Sequence, residues 1–209
     1  MREYWNHNTA FHPLILRHAR RARGRALDVG CGDGLLVQRL AAVSDQVTGI
    51  EPDPRALAVA QARTAGLTNV SLARSGLLEQ HHDGAEFDLV TLVAVLHHMD
   101  LRAGLERARS LVAPSGRLVV VGLAANRTAL DWFVSGLTIP VARVMGALRH
   151  ETDPDVVFVD PVESLAEVRE VARELMPGVR IRRGLYYRYV LTWTRPGQSR
   201  ARGEVRALP

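Results

Sequence analysis

Short apolar runs that are rich in β-branched residues alternate along the chain with segments whose apolar residues recur every three or four positions. The first pattern is typical of buried strands and the second of amphipathic helices, so their alternation predicts βαβ units around a parallel sheet. The predicted strands cover residues 26–29, 47–50, 70–73, 87–93 and 117–121. The predicted helices cover residues 35–42, 54–65 and 101–112, and another helix over about 13–21 precedes the first strand.

Cap residues mark the starts of two predicted helices. Asp53 fits the N-cap and Pro54 the first helical position of the helix that follows the second strand. Ser164 and Glu167 have the spacing of a capping box, which predicts that a helix over 164–176 begins there.

The last third of the chain departs from the alternation. Two predicted strands over 179–183 and 186–193 are joined by a short turn at Gly184, so they must pair antiparallel. Earlier in the chain, the run "APSG" at 113–116 predicts a turn ahead of the strand at 117–121.

The chain length and these patterns predict one domain, because 209 residues with 47% hydrophobic content suffice for a single full core. Within it we expect an N-terminal cap segment, a cofactor-binding core, a helical insertion or lid, a closing helix with a β-hairpin, and a flexible tail. These parts cover residues 1–24, 25–125, 126–160, 161–195 and 196–209 in that order.

Charge narrows the class of partner. The chain contains no lysine, and its 27 arginines against 22 acidic residues give a net charge of +5. A basic chain raises nucleic acid as a partner, but these arginines are spread along the sequence and no nucleic-acid-binding motif accompanies them. The sequence therefore favours a small-molecule substrate over nucleic acid.

Cysteine usage and hydropathy indicate the compartment. Cys31 is the single cysteine, so no disulfide forms within the chain, which favours a reducing cytoplasm. No apolar signal segment follows Met1. The longest apolar stretch, "LTIPVARVMGAL", contains Pro140 and Arg143 and is too short to span a bilayer. We expect a soluble, cytoplasmic protein without a membrane contact.

The stretch "LDVGCGDG" places Gly30, Gly32 and Gly34 between the first strand and the first following helix. Bare backbone at that point lets a nucleoside-containing ligand approach closely. A dinucleotide-binding loop would have a glycine at position 35, where this chain has Leu35. Glu51 ends the second strand about twenty residues later, where an acid can accept hydrogen bonds from both ribose hydroxyls. These features indicate a ribose but do not choose between cofactors.

Four segments in order, "ALDVGCGDG", "VTGIEPDPRALAVAQAR", "FDLVTLVAVLHHM" and "LVAPSGRLVVVG", together resemble the class I S-adenosylmethionine-dependent methyltransferases over about residues 25–122. The resemblance implies a three-layer α/β/α sandwich around a seven-stranded, mostly parallel sheet with an antiparallel last strand. It also implies S-adenosylmethionine as cofactor and S-adenosylhomocysteine as product. The four motifs are specific for this cofactor and not for the methyl acceptor.

The resemblance also implies roles for individual residues. The loop residues would surround the methionine end of the cofactor, the acid at the end of the second strand would hold the ribose, and the next proline would pack beside the adenine. One departure is that Gly76 stands where the family commonly has an Asp that contacts the adenine amine, so backbone groups or Glu79 would have to supply that contact. The cofactor-binding residues expected in this way are Asp28, Gly30, Cys31, Gly32, Glu51, Pro52, Gly76, Leu77 and the backbone at Val93.

Two histidines follow the fourth strand, where this fold opens onto the methyl group of the cofactor. His97 and His98 can act there as a base, as a hydrogen-bonding group that orients the acceptor, or as structural residues. Adjacent side chains point apart, so we expect His97 rather than His98 to line the acceptor pocket. The metal-dependent catechol-type members of the family use carboxylates at this edge, and "LVAVLHH" contains none, so we expect no metal.

The N-terminal run "EYWNHNTAFHPLILRHA" is the second place where acceptor-binding groups are expected. In the family a segment ahead of the first strand often covers the cofactor and forms one wall of the substrate pocket. The aromatic and imidazole groups of Tyr4, His7 and His12 suit a small organic substrate at such a wall. The alternative is a helix that only packs on the sheet. The apolar residues of the insertion at 126–160 can roof the pocket or form a dimer contact, so monomer and homodimer both stay open.

These observations lead to the hypothesis of an S-adenosylmethionine-dependent methyltransferase that acts on an oxygen or nitrogen nucleophile of a small, specialised metabolite. The alternative is a protein of the same fold that binds the cofactor without methyl transfer, as a cyclase or a partner protein. A dehydrogenase is disfavoured by the glycine spacing. A nucleic-acid methyltransferase is disfavoured because the motif Asn/Asp-Pro-Pro-Tyr is absent after the fourth strand.

Overall fold

A mixed β-sheet runs through the computed structural model, which describes residues 4–79, 87–125, 161–184 and 188–197. Within these ranges the sheet has seven strands in the order β3-β2-β1-β4-β5-β7-β6. Strands β1 to β5 pair in parallel, and β7 pairs antiparallel with both β5 and β6. The strands are β1 Arg25–Val29, β2 Gln46–Ile50, β3 Val70–Ala73, β4 Phe87–Val93, β5 Val112–Leu123, β6 Arg180–Arg183 and β7 Arg188–Thr194.

Helices connect and cover the strands. Those of the described residues are α1 His12–Ala22, α2 Leu35–Ala41, α3 Pro54–Thr64, α4 Leu101–Leu111 and α5 Leu165–Leu175. Short 3₁₀ turns lie at Thr9–Phe11, Leu77–Glu79 and Leu96–His98. The helix ends lie within two residues of the predicted ones, because the apolar periodicity and the caps are local signals.

The two faces of the sheet bury different side chains, because successive residues of a strand point to opposite sides. On β5, Val119 joins the apolar layer under α1, α2 and α3, whereas Val120 joins the layer under α4 and α5. The expected three-layer α/β/α sandwich with a reversed last strand is therefore confirmed.

Both predicted helix caps form. The Asp53 side chain accepts a hydrogen bond from the backbone N–H of Arg55 at the start of α3. At the start of α5, Ser164 Oγ accepts from the N–H of Glu167, while the Glu167 carboxylate accepts from the N–H of Ser164 at 2.7 Å. These bonds satisfy N–H groups that a helix leaves without intrahelical partners.

The predicted turn at 113–116 lies inside β5, so the predicted start of this strand at residue 117 is wrong. The register passes from Phe87 opposite Val112 to Leu89 opposite Arg117, so the intervening residues of β5 bulge out of the pairing. The bulge is held from the far side, because the N–H of Ser115 donates to the carbonyl of Arg195. Pairing with a distant strand, which local sequence does not reveal, therefore extends β5 through a turn-forming run.

The predicted insertion at 126–160 lies outside the described residues, as does the tail from residue 198 onward. Within the described ranges no helix is long and apolar enough to cross a membrane.

Candidate functional site

The glycine loop is the segment Gly30–Gly34 that leads from β1 into α2, at the edge of the sheet where the parallel strands end. The N–H of Cys31 donates to the carbonyl of Ile50 at 3.0 Å and joins the loop to the end of β2. The N–H of Gly34 donates back to the carbonyl of Cys31 at 2.9 Å and closes the turn. Ligands of open α/β sheets bind at this edge.

The glycines of the loop have different roles. A Cβ at Gly34, whose φ is 79°, would lie 2.9 Å from the Cα and Cβ of Ala60 on α3, so this glycine lets two helices pack closely. A Cβ at Gly30 would lie 2.4 Å from a methyl of Val95 after β4. Gly32 has no described atom within 4 Å of such a Cβ. The space above Gly32 is therefore open for a ligand that approaches the backbone.

Glu51 borders this open space, and two backbone groups hold its carboxylate. Oε2 accepts a hydrogen bond from the N–H of Gly32 at 2.9 Å, and Oε1 accepts from the N–H of Asp53 at 3.0 Å. The side chain is only 9% exposed. Each carboxylate oxygen has a further lone pair, so Glu51 can still accept two hydroxyl donors in a fixed orientation.

Asp28 lies in β1, two residues before the loop, where it is 2% exposed and pairs with Thr91 of β4. Its Oδ1 accepts a hydrogen bond from Thr91 Oγ1 at 2.8 Å. Burial, followed by the nearby charge of Glu51, raises the pKa of Asp28 to about 7 against the opposing effect of the Thr91 bond. Near neutral pH the buried carboxyl is thus divided between its acid and its carboxylate.

Cys31 contributes backbone rather than side chain to the loop. Its side chain is buried in the apolar layer that also contains Val37 and Ala26. Burial raises the pKa of the Cys31 thiol above its ordinary value, and the negative charges of Asp28 and Glu51 add to the effect. The thiol therefore stays protonated and is not a nucleophile at neutral pH.

The residues expected beside adenine lie at the ends of β2 and β3. Pro52 is exposed, and its carbonyl accepts a hydrogen bond from Arg74 Nε at 3.3 Å. Leu77 is buried in the core. The Glu79 carboxylate turns back and accepts a hydrogen bond from the N–H of Gly76 at 3.1 Å. An acid thus stands beside the position where the family commonly has one, although it comes from three residues later.

The end of β4 brings the histidine pair toward the glycine loop. Val93 is the last strand residue, and Ala94 turns the chain with a φ of 56° while its N–H donates to the carbonyl of Val121. Val95 then packs against Gly30. The histidine pair His97 and His98 closes the following 3₁₀ turn, two residues after the valine that contacts the glycine loop.

The two histidines differ in environment. His97 is half-buried and His98 is exposed, and their ring centroids are 4.0 Å apart. Burial, the neighbouring His98 and the charge of Arg188 together lower the pKa of His97 to about 4. Its Nδ1 is buried and has no hydrogen-bond partner among the described residues. His97 is therefore a neutral imidazole with an unsatisfied buried nitrogen, which suits a proton acceptor or a group that orients a hydroxyl.

The N-terminal strap, defined as residues 4–11, is fastened at both ends. Tyr4 lies close to the carboxylate of Asp33 in the glycine loop, and burial, followed by the negative charge of Asp33, raises the pKa of this tyrosine. Asn8 Oδ1 accepts hydrogen bonds from Arg188 of β7, from Nε at 3.0 Å and from Nη2 at 2.7 Å. Between them His7 places its ring edge-on against Trp5 with centroids 5.9 Å apart. The strap thus joins the glycine loop to the strand beside His97.

His12 lies at the start of α1 and is only 5% exposed. Its Nδ1 is 2.9 Å from Nη1 of Arg39 on α2. Burial, followed by the charge of Arg39, lowers the pKa of His12 to about 3. This geometry gives the imidazole a role in packing α1 on α2, whereas Tyr4 and His7 lie on the strap.

Several residues of the site were not found from the sequence. Asp33 is one: its carboxylate binds Nη2 of Arg63 at 2.6 Å, and its charge acts on the hydroxyl of Tyr4. Thr91 had a recognisable signal, since it is the polar residue inside the apolar run "LVTLV". Asn8 and Arg188 had none, because they are 180 positions apart and meet only in the folded chain. No group of three or more His, Cys, Asp or Glu side chains in the described ranges is arranged to hold a metal ion.

Comparisons with known proteins identify methyltransferases as the relatives of this chain. Residues 27–118 match the family model described as a methyltransferase domain. The chain is 35% identical over 200 residues to an uncharacterized methyltransferase of Mycobacterium bovis, which covers 94% of this chain and 100% of that protein. It is 31% identical over 181 residues to the ubiquinone biosynthesis O-methyltransferase of Burkholderia ambifaria, with 79% of this chain and 75% of that protein covered.

Among solved structures, the N-methyltransferase NodS from Bradyrhizobium japonicum in complex with S-adenosylhomocysteine has the same fold. The TM-score is 0.62 at 19% identity, and the match covers 90% of this chain and 87% of the NodS chain. The DhpI complex with S-adenosylhomocysteine gives a TM-score of 0.60 at 24% identity, with 91% and 86% covered.

Proposed function

The chain belongs to the class I methyltransferases, and on that premise we propose that it transfers the methyl group of S-adenosylmethionine to an oxygen or nitrogen nucleophile of a small, specialised metabolite. One observation carries this proposal. The Glu51 carboxylate is held by the N–H groups of Gly32 and Asp53 at the border of the open space above Gly32. A buried carboxylate with free lone pairs beside bare backbone is the hydrogen-bond acceptor that the hydroxyls of a ribose require.

The site has residues that fit each part of S-adenosylmethionine: its ribose, its methionine portion and its adenine. Glu51 would accept the ribose hydroxyls, and Asp28 with the loop backbone at Gly30 and Gly32 would face the methionine end. Pro52, with the backbone of Gly76 and Leu77, would border the adenine, and Glu79 would accept from its amine. The carbonyl of Val93 would accept a hydrogen bond from the amino group of the methionine portion of the cofactor. When bound, S-adenosylmethionine supplies an activated methyl group on a positively charged sulfur.

On the acceptor side His97 has the properties that methyl transfer needs. A neutral imidazole accepts the proton of a hydroxyl or orients it for an in-line displacement. His98 is exposed, so we assign the role of proton acceptor to His97 rather than to His98. Tyr4 keeps its proton, because its pKa is raised, and can act as a donor to a substrate rather than as a base. The single buried Cys31 agrees with our proposal of a reducing cytoplasm.

Calorimetry with S-adenosylhomocysteine tests the cofactor assignment. Glu51→Gln keeps the size of the side chain but turns an amide NH₂ toward one of the two backbone N–H groups. Because the side chain also loses its charge, its hydrogen bonds to both ribose hydroxyls should be weaker. We expect its affinity to fall by about 1–3 kcal/mol, the value of hydrogen bonds to a buried charged group. Glu170→Gln, which changes an exposed acid on α5, is the matched control and should bind like the wild type.

An unchanged affinity of Glu51→Gln would contradict the assigned role of this residue. Tight binding of a nicotinamide dinucleotide, with no binding of S-adenosylmethionine or S-adenosylhomocysteine, would contradict the proposed function. Product analysis with a labelled methyl donor then separates transfer from the alternative of a non-methylating cyclase, since only transfer makes labelled product and S-adenosylhomocysteine in equal amounts.

A further inference from the structure

Arg188 lies at the acceptor edge although it is far from the histidine pair in sequence. It is the first residue of β7 and pairs in register with Leu123 at the end of β5. The N–H of Ala94, just after β4, donates to Val121 two residues before that point. The start of β7 is therefore at the same edge of the sheet as the turn that carries His97.

The guanidinium of Arg188 has a defined orientation. Its Nε and Nη2 both donate to Oδ1 of Asn8, at 3.0 and 2.7 Å, and the residue is half-buried. A planar guanidinium held through two of its donors cannot turn freely. The strap therefore fixes the direction in which this cation faces.

The charge of Arg188 acts on His97. The groups that lower the pKa of this imidazole, besides burial, are His98 from the same turn and Arg188 from β7. The buried Nδ1 of His97 has no hydrogen-bond partner in the described part of the chain. The acceptor edge thus combines a fixed cation with a neutral proton acceptor that lacks a donor.

We propose that Arg188 determines the chemical class of the methyl acceptor, favouring an acidic hydroxyl, such as that of a phenol, over an amine. This inference rests on the proposed function and narrows its acceptor from oxygen or nitrogen to oxygen. A hydroxyl that loses its proton becomes an anion, which the nearby guanidinium stabilises. A methylated amine carries a new positive charge until it loses a proton, and the same guanidinium repels it.

The chemical step balances with groups that the site and the cofactor supply. The proton of the acceptor hydroxyl passes to the imidazole of His97, and the oxygen forms a bond to the methyl carbon. The bond between that carbon and sulfur breaks, its electron pair stays on sulfur, and the charge of the sulfonium is neutralised. The imidazolium of His97 then gives the proton to solvent, which its lowered pKa favours.

The test compares acceptors that share one ring and differ only in the reacting group, with catechol and 1,2-diaminobenzene as the probes and labelled S-adenosylmethionine as donor. We expect the wild type to methylate the hydroxyl probe faster. In Arg188→Gln the ratio of kcat/KM for hydroxyl over amine should fall about tenfold or more, the change that corresponds to one unit of pKa. Arg188→Lys keeps the charge and should keep most of the preference.

Two further measurements separate this role from a merely structural one. NMR titration should show a higher pKa for His97 in Arg188→Gln, because a neighbouring cation is removed, and little change in Arg188→Lys. Arg182→Gln, which removes an exposed charge from the neighbouring strand β6, is the matched control and should change neither the pKa of His97 nor the acceptor ratio. Asn8→Ala keeps the charge of Arg188 but removes the acceptor that orients its guanidinium. The ratio of kcat/KM for hydroxyl over amine should therefore fall by less than in Arg188→Gln.

The inference is overturned if the wild type methylates the amine probe at least as fast as the hydroxyl probe. It is also overturned if Arg188→Gln leaves the acceptor ratio or the pKa of His97 unchanged. A protein that binds S-adenosylmethionine and methylates neither probe would contradict methyl transfer to such small acceptors, and the inference would fail with it.

Discussion

Asp28 shows how one buried carboxyl responds to its surroundings. Thr91 Oγ1 lies 2.8 Å from Asp28 Oδ1 and 3.2 Å from the carbonyl of Leu27, yet a threonine hydroxyl has one proton to donate. When Asp28 is charged, Thr91 donates to it. When Asp28 is protonated, the acid can donate to Thr91, which then donates to Leu27. Both protonation states are thus hydrogen-bonded, and burial favours the neutral one.

This arrangement predicts a pH-dependent stability. The pKa of Asp28 is about 7 in the folded chain against an ordinary value of 3.8, so between these values the folded state holds a proton that the unfolded state has lost. The free energy of unfolding, relative to Asp28→Asn, should therefore fall as pH rises from about 4 to about 7 and stay constant above that. We expect a total change on the order of a few kcal/mol.

Urea unfolding of both proteins at a series of pH values measures this difference. The acidic groups that face Asp28 are Glu51 and the thiol of Cys31, and both are retained in Asp28→Asn. Asp45→Asn, which changes an exposed acid before β2, is the control. The free energy of unfolding of the wild type relative to this variant should not fall between about pH 4 and about pH 7. A flat difference for Asp28→Asn as well would show that its pKa is not raised.

At the scale of elements, the glycine loop combines close packing and an open space in five residues. Gly34 lets α2 approach α3, and Gly30 lets the turn after β4 approach the loop. Gly32 lies between them and faces open space, while its N–H holds Glu51. The alternating glycines are thus required for two different reasons that the sequence pattern does not distinguish.

Two single substitutions in the loop should therefore behave differently. Gly34→Ala places a methyl against Ala60 at a positive φ, so the free energy of unfolding should fall by about 2 kcal/mol or more. Gly32→Ala has space for its methyl and should lose about 1 kcal/mol from its backbone conformation alone. It should nevertheless bind S-adenosylhomocysteine much more weakly, because the methyl enters the open space.

Urea unfolding and calorimetry on the same preparations separate the two effects. Gly66→Ala, after α3, has no described atom within 4 Å of the new methyl and should change neither stability nor binding by much. Equal losses of stability and of affinity in Gly32→Ala and Gly34→Ala would contradict the division of roles.

For the whole molecule, the strap is the element that joins the two halves of the site. Tyr4 lies close to Asp33 in the glycine loop, and Asn8 holds the strap to Arg188, whose charge acts on His97. Inside the strap, Asn6 Oδ1 accepts hydrogen bonds from the N–H groups of Asn8 and Thr9 and keeps its backbone compact. A change at one end can therefore alter the position of groups at the other.

Loss of one fastening should loosen the strap without unfolding the protein. Tyr4→Phe removes the hydroxyl that lies close to Asp33, and a polar contact of this kind contributes about 1 kcal/mol. We expect the amides of the strap to exchange hydrogen about fivefold faster, while those of β4 and β5 keep their rates. Asn8→Ala should produce a similar local effect from the other end, and unchanged exchange in both variants would show that these bonds do not hold the strap.

Local sequence was sufficient for the elements, for the position of Glu51 and for the family. The strands, helices and caps were predictable because side-chain periodicity and capping act within a few residues. Glu51 was predictable because the end of a strand beside a glycine loop has a known position in this kind of sheet. The sequence by itself therefore determined the fold class and the family.

The tertiary structure decided what depends on contacts between distant residues. It buried His12 against Arg39, because the face that a helix turns to the core depends on its neighbours. It extended β5 through a predicted turn, because Ser115 pairs with Arg195. It brought Asn8 and Arg188 together from 180 positions apart and placed that cation where its charge lowers the pKa of His97. Such pairings follow from the packing of strands and helices, which no short stretch of sequence contains.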